Sequence, residues 1–252
     1  MRKLSIGVAA VLLGLQASAA LAVETKHPPA RDWSFSGVFG QFDRAAMQRG
    51  LQVYREVCSG CHGLRLIHFR NLAALGYDED EIKAIAAEYT VIDGPDEEGE
   101  MFERPGRPVD RFPSPFANDK AAAAANNGAM PPDLSLMAKA RDDGPNYIHA
   151  LLTGYEEPPA DIEVIEGANY NPYFPGNQIA MAAPLFEDAV EYADGTPATV
   201  EQMAADVTTF LMWAAEPTLE ERKRMGIKVM LFLLVFTGVL YAVKRKVWAD
   251  LH

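Results

Sequence analysis

The chain has 252 residues, of which 49% are apolar, 23% charged and 10% aromatic, and its formal charge is −12. This length and apolar share bound it to one globular domain or two, and 19 Gly with 17 Pro are too few for a disordered or fibrous polymer. The acidic balance excludes nonspecific nucleic-acid binding, which needs a basic face, and two cysteines cannot build a disulfide framework.

At the N-terminus, Arg2 and Lys3 precede an apolar run over residues 6–15, and small residues follow as far as Ala20-Leu21-Ala22. This pattern predicts a secretory signal peptide over residues 1–22, with cleavage after Ala22 and Ala19 as the alternative. Ten apolar residues make about 15 Å of helix, too short for a hydrocarbon core of roughly 30 Å. Residues 23–217 are the expected periplasmic domain. Its lead, residues 27–40, carries Pro and Trp without a period. Asp43 then caps a predicted helix reaching Val57, with Ala46, Met47, Gly50, Leu51 and Tyr54 at three- and four-residue spacing. A second helix is predicted over residues 78–89, with Ile82, Ile85 and Ala86 as its stripe. Pro, Gly and charge over residues 93–118 predict a long loop. Short helices are expected near residues 134–141 and 146–152, and another loop over residues 155–184. Thr199 caps an amphipathic helix with Met203, Val207, Phe210, Leu211 and Ala214 on one face, ending near Glu216-Pro217.

The other end differs. Residues 225–243 form a 19-residue apolar stretch with one charge, Lys228, flanked by Arg222-Lys223-Arg224 and Lys244-Arg245-Lys246. Basic flanks on both sides argue against a buried core helix and for a transmembrane helix, with its lead-in spanning residues 218–243. Four basic residues on one side against three on the other do not orient the span. The signal peptide does, leaving residues 244–252 as a cytoplasmic tail.

The chemistry-bearing motif is Cys58-Ser59-Gly60-Cys61-His62. Two thiols three residues apart, followed at once by His, make the c-type haem attachment pattern. One turn of chain sets both sulfurs opposite the vinyl groups of one porphyrin edge for thioethers, and the next residue delivers an imidazole to the iron. A thioredoxin-like pair would need a βαβ setting, and a structural zinc site would need further ligands that a chain with no other cysteine does not offer. One covalently bound haem c is expected. For the second axial ligand, His27, His68, His149 and His252 are the remaining histidines, and His68 reads as an ordinary surface or satisfied side chain. Methionine is the usual partner of His in electron-carrying c-haems. Met47, Met203 and Met212 fall on predicted helices and read as core, while Met130 and Met181 stand in loops. Local pattern favours Met130, because the Pro that follows it would stiffen a ligand loop.

The chain resembles the cytochrome c1 family, the haem subunit of the cytochrome bc1 complex. The resemblance rests on Arg49-Gly50-Leu51-Gln52-Val53-Tyr54, Asp93-Gly94-Pro95 and Gly99-Glu100-Met101-Phe102. It continues in Ala125-Asn126-Asn127-Gly128-Ala129, Pro131-Pro132-Asp133-Leu134-Ser135 and Leu151-Leu152-Thr153-Gly154-Tyr155. Asn171-Pro172-Tyr173-Phe174-Pro175-Gly176, Asp194-Gly195-Thr196-Pro197-Ala198-Thr199 and Trp213-Ala214-Ala215-Glu216-Pro217 complete it, from about residue 28 to the anchor.

This resemblance implies a mainly α, class I cytochrome c-like haem domain with long irregular insertions, plus one C-terminal transmembrane helix. It implies iron ligation by His62 and Met181, which overrides the local preference for Met130. It also implies thioethers at Cys58 and Cys61, Asn126 and Pro131 lining the pocket, and Arg141 and Tyr147 as propionate partners. Some bacterial members carry an additional cysteine pair near the pocket. This chain has none, so nothing covalent beyond the haem is expected to hold the Met181 loop.

The implied activity is electron transfer within a ubiquinol–cytochrome c oxidoreductase, with no independent catalysis. Single electrons arrive from the Rieske iron–sulfur protein and leave to a soluble or tethered cytochrome c. Cytochrome b and the Rieske protein are the expected permanent partners, in a dimeric complex. The expected location is a bacterial-type inner (cell) membrane, crossed once, with the haem domain periplasmic. A free-standing membrane-anchored shuttle cytochrome, and a haem peroxidase or sensor with five-coordinate iron, are the alternatives. Residues 23–221 hold 14 basic and 34 acidic side chains. The acidic stretches 78–81 and 93–103 are therefore expected to steer a basic partner.

Overall fold

The computed structural model describes residues 25–249. The predicted signal peptide and the end of the predicted tail lie outside them. The described chain is mostly helical, with two short β-hairpins inside long irregular segments.

Helix α1 spans Arg44–Val53, and the Asp43 carboxylate caps it by accepting from the amides of Ala45 and Ala46. The predicted helix to Val57 is present, but its last stretch, Tyr54–Cys58, widens into a π turn closed by the Ser59 amide on the Tyr54 carbonyl at 2.8 Å. A 3₁₀ segment over Phe69–Leu75 buries Phe69, Leu72 and Leu75. Helix α2, Glu79–Ala87, starts with a capping box of Asp78 and Glu81 and buries the expected Ile82, Ile85 and Ala86.

The segment expected as a loop after α2 contains an antiparallel hairpin, β1 at Thr90–Asp93 and β2 at Phe102–Pro105. Its Pro and Gly residues form the connection. Asp96 gathers the amides of Glu98 and Glu100 at 2.9 Å each, and Arg104 pairs with both Asp93 and Asp110. These tertiary ion pairs hold two strands that have no hydrophobic alternation to announce them.

Helix α3 spans Asp119–Ala125, which in sequence is only a short alanine run. A 3₁₀ turn at Leu134–Leu136 leads into α4, Met137–Ala140, and then α5, Gly144–Thr153, close to the expected short helices. Strands β3, Asn169–Tyr170, and β4, Gln178–Ile179, make a second small hairpin. Helix α6, Val200–Ala215, runs from its predicted Thr199 cap.

The core forms where α1 crosses α6. A Cβ on Gly50 would lie 2.1 Å from the Asp206 carbonyl oxygen and 2.7 Å from the Phe210 Cβ, so the two backbones meet at this glycine. Beside it, Arg49 forms two bonds to the buried Asp206 carboxylate, Nε–Oδ2 at 2.9 Å and Nη2–Oδ1 at 3.0 Å, and a third to Asp194 at 2.8 Å. Gln202 donates to both Asp206 oxygens at 3.0 Å, which leaves the buried charge fully partnered. Met47, Leu51, Met203, Phe210 and Trp213 fill the contact and are nearly inaccessible. Tyr54 joins Phe210 to an aromatic cluster of Phe112, Phe69 and Tyr89.

Helix α7, Leu219–Val247, has 29 residues, about 43 Å of helix. Over its best 18-residue stretch the mean hydropathy is 2.2, and the helix is long and apolar enough to cross a membrane. Its first turn is docked on the domain. Leu219 is buried, and Glu220 accepts from the Phe42 amide at 2.8 Å and pairs with Arg44.

Gly50→Ala should destabilise the domain by about 1–3 kcal/mol through overpacking at the crossing. Gly226→Ala should be close to neutral, because a Cβ there meets nothing within 4 Å. Thermal unfolding followed by far-UV circular dichroism compares the two, and equal midpoints would remove the crossing constraint.

Candidate functional site

The π turn at the end of α1 leads straight into the thiol motif. Cys58 is half-buried, Cys61 is exposed, and both are free. The amides of Cys61 and His62 both donate to the Cys58 carbonyl, at 3.1 and 2.9 Å, so the motif is one closed turn with the imidazole at its end. Burial, reinforced by neighbouring Cys61, pushes the Cys58 thiol up to about 12.

Four contacts clamp the residues after this turn against the Pro-rich segment 131–135. His62 Nδ1 lies 2.8 Å from the Pro132 carbonyl oxygen. A carbonyl only accepts, so Nδ1 carries the proton and Nε2 keeps its lone pair. Burial lowers the His62 pKa and outweighs the opposing pulls of the Pro132 carbonyl and Asp133, which favours that neutral form. The Leu134 amide donates to the Gly63 carbonyl at 2.8 Å, and the Asp133 carboxylate accepts from the Arg65 amide at 2.9 Å. The Ser135 hydroxyl accepts from the Leu66 amide at 3.1 Å. Tyr54, buried beneath the turn, donates its hydroxyl to the His62 carbonyl at 3.1 Å.

The second set of predicted residues is connected through Tyr155. Met181 is half-buried and stands two residues past the end of β4, after Ala180. The Tyr155 hydroxyl donates to the Met181 carbonyl at 3.0 Å, and pairing of Asn169 with Ile179 holds the strand before it. Tyr147 is buried on α5. Burial raises its pKa while the Arg141 guanidinium beside it pulls the other way. The Tyr155 pKa is likewise raised, first by burial and then by Tyr147. Tyr155 thus meets the Met181 carbonyl directly, and Tyr147 and Arg141 lie in the same region.

Asn126 is half-exposed at the end of α3, where its amide donates back to the Ala122 carbonyl at 2.8 Å. Pro131 is half-buried in the clamped segment, one residue from the His62 contact. Met130 is 54% exposed and Leu136 49%, so the clamped segment carries uncovered apolar surface at both ends. Met47, Met203 and Met212 are core, as expected, and His68 is satisfied by Arg111 Nε at 3.4 Å.

Sequence reasoning did not single out Pro132, Asp133, Ser135 or Tyr155 as supports. Asp133 before Leu134-Ser135 is a helix-start pattern that could have marked the clamp, whereas nothing local to Tyr155 points at Met181. The donor set fits a c-type haem: two unpaired thiols, an imidazole with a free Nε2, a thioether-bearing loop held separately, and apolar surface beside the imidazole.

Residues 33–251 match the model of the Cytochrome C1 family. A protein named cytochrome c1 from Rhodospirillum rubrum is 52% identical over 236 residues, covering 87% of each chain. Cytochrome c1 1, heme protein, mitochondrial, from Arabidopsis thaliana is 56% identical over 206 residues, covering 82% of this chain and 67% of its own. A protein named cytochrome b/c1 from Bradyrhizobium diazoefficiens is 50% identical over 269 residues. That match takes in 98% of this chain, which spans only 39% of the Bradyrhizobium protein.

Tyr155→Phe deletes the one side-chain bond to the Met181 carbonyl, worth about 0.5–1.5 kcal/mol. Amide hydrogen exchange over residues 178–182 should accelerate roughly two- to tenfold. Unchanged exchange would show that the hairpin alone holds the loop.

Proposed function

The chain belongs to the cytochrome c1 family, and we propose that it is the electron-carrying haem subunit of a quinol–cytochrome c reductase. It takes single electrons from the Rieske iron–sulfur subunit and gives them to a soluble or tethered cytochrome c. The observation that carries this reading is His62, set one residue after two free thiols with its Nδ1 proton committed to the Pro132 carbonyl.

Bound haem c supplies one-electron exchange between ferric and ferrous iron. Cys58 and Cys61 would hold it through thioethers, and His62 would offer Nε2 to the iron. The Pro132 carbonyl fixes the tautomer and ring plane of His62 and makes the imidazole a better donor. Met181 would supply the second protein ligand to the iron, which would leave oxygen and peroxide no protein-free place on it. Tyr155 and the β3–β4 hairpin do the holding that no disulfide provides. Arg141 and Tyr147 bind the propionates, and Pro131 and Asn126 line the pocket.

Helix α7 crosses the membrane once, residues 1–22 are a cleaved signal, and the haem domain is periplasmic, with residues 244–252 in the cytoplasm. Cytochrome b and the Rieske protein are permanent partners in a dimer. The Bradyrhizobium relative, whose name joins b and c1, supports the first of these.

The docking role belongs more to the β1–β2 hairpin than to the start of α2. Asp78 and Glu81 are used as caps, and Glu79 and Asp80 pair with Lys83. Glu97, Glu98, Glu100 and Glu103 are exposed and make no ion pair among the described residues. Their field favours a basic partner and is screened within about 8–10 Å by physiological salt. The rate of cytochrome c reduction should therefore fall as ionic strength rises, and a flat profile would remove electrostatic steering.

Purification in mild detergent with redox difference spectra tests the whole assignment. The c-type signal should co-purify with b-type haems and a two-iron cluster. A c-type signal alone would favour the free-standing shuttle, and carbon monoxide binding by the ferrous form would favour a peroxidase or sensor. Met181→Leu should abolish the near-infrared iron–sulfur band and lower the potential steeply, while Met130→Leu should leave both in place. The reverse result would return the ligand to Met130.

A further inference from the structure

The lead before α1 treats its apolar residues in two ways. Phe35 and Phe42 are buried, with ring centroids 5.4 Å apart, and Trp33 stacks on Phe35 at 5.5 Å. Between these anchors, Val38 is 64% exposed and Phe39 82% exposed.

The turn that presents them is tightly closed. Gly37 sits at φ +68°, and a Cβ on Gly40 would lie 1.9 Å from the Ser36 carbonyl oxygen. The Gln41 amide donates to the Ser34 carbonyl and the Ser36 amide to the Trp33 carbonyl, each at 2.9 Å. Gly40 leaves no room for a Cβ and the φ of Gly37 favours glycine, so Val38 and Phe39 are held at the apex of a closed turn.

This turn is fastened to the start of α7. Lys223 Nζ donates to the Phe35 carbonyl and, at 3.3 Å, to the Gly40 carbonyl, and the Phe42 amide donates to Glu220. Lys223 stands two residues before the apolar stretch 225–243, inside the basic collar Arg222-Lys223-Arg224. In the proposed span that collar lies at the lipid headgroups, and the apex of the turn is carried beside it.

We propose that Val38 and Phe39 form an interfacial foot that enters the headgroup–acyl boundary of the bilayer that α7 crosses. A single helix fixes the height of the domain but leaves it free to tilt. A second apolar contact on a closed turn fixes the tilt, and with it the direction in which the Cys58–His62 turn faces. The buried Phe35 and Phe42 tie the foot to the core, and the Lys223 bonds tie it to the membrane helix. This inference rests on the reading of α7 as a membrane span.

The test uses the full haem-loaded chain in lipid nanodiscs, where the two native cysteines are consumed by thioethers. Nitroxide labels go on Phe39→Cys, on Ile92→Cys, which is 67% exposed on the acidic hairpin, and on Leu234→Cys inside the span. Paramagnetic resonance saturation compares lipid-partitioning oxygen with an aqueous nickel chelate. The oxygen-to-nickel accessibility ratio at position 39 should be severalfold that at position 92 and below that at position 234. A ratio at position 39 equal to that at 92, with position 234 in lipid, overturns the foot and leaves the span standing. Shielding of position 39 from both reagents marks a protein contact and overturns the lipid assignment. An aqueous position 234 overturns the span and the foot together.

Discussion

The crossing of α1 over α6 at Gly50 is the constraint from which the rest of the domain follows. At this point no side chain separates the two helices, and the Asp206 carbonyl occupies the space a Cβ would need. Close approach buries a carboxylate that would be strongly unfavourable alone, and Arg49, one residue from the crossing, neutralises it in a bidentate pair. The angle and register of α1 are therefore set by backbone contact and by a directional ion pair together. Since α1 runs directly into the π turn that ends at Cys58, the same contact places the thiol motif relative to the core.

Residues 131–155 act as a brace from that point. At one end the segment grips the chain after the motif through Pro132, Asp133, Leu134 and Ser135. At the other, Tyr155 reaches the Met181 carbonyl. Between them lie Arg141, just after α4, and the buried Tyr147 on α5, and both helices pack on α6. One continuous stretch thus ties the imidazole turn to the methionine loop, and both to the helix whose position the Gly50 crossing determines. Hydrogen bonds replace the covalent bridge that the cysteine count rules out.

Charge is unevenly distributed along the chain. The −12 total conceals a segment, residues 23–221, with 34 acidic against 14 basic residues, and a basic collar around the apolar helix. Within the acidic segment the structure separates carboxylates that build the fold from those that remain free to act at a distance. Asp78, Asp133 and Asp206 are committed to caps, clamp and core. The glutamates of the β1–β2 hairpin face solvent.

Much of this was legible in the sequence, for a local reason. The Thr199 cap and the stripe Met203, Val207, Phe210 gave α6 to its end, because caps and 3.6-residue periodicity act within a few residues. The spacing of Cys58, Cys61 and His62 was readable for the same reason, since the motif closes within one turn. The β1–β2 hairpin was missed because Arg104, not an alternating apolar pattern, holds it. The π turn was missed because it lasts only five residues, too few for its wider spacing to show as a pattern of its own. By itself the sequence determined the motif, the long apolar C-terminal helix and the uneven charge. Only the tertiary structure decided what steadies the two loops, because Pro132 lies 70 residues from His62 and Tyr155 lies 26 from Met181. A hydrogen bond over such a separation is set by the packing of the intervening helices, and it leaves no mark on local pattern.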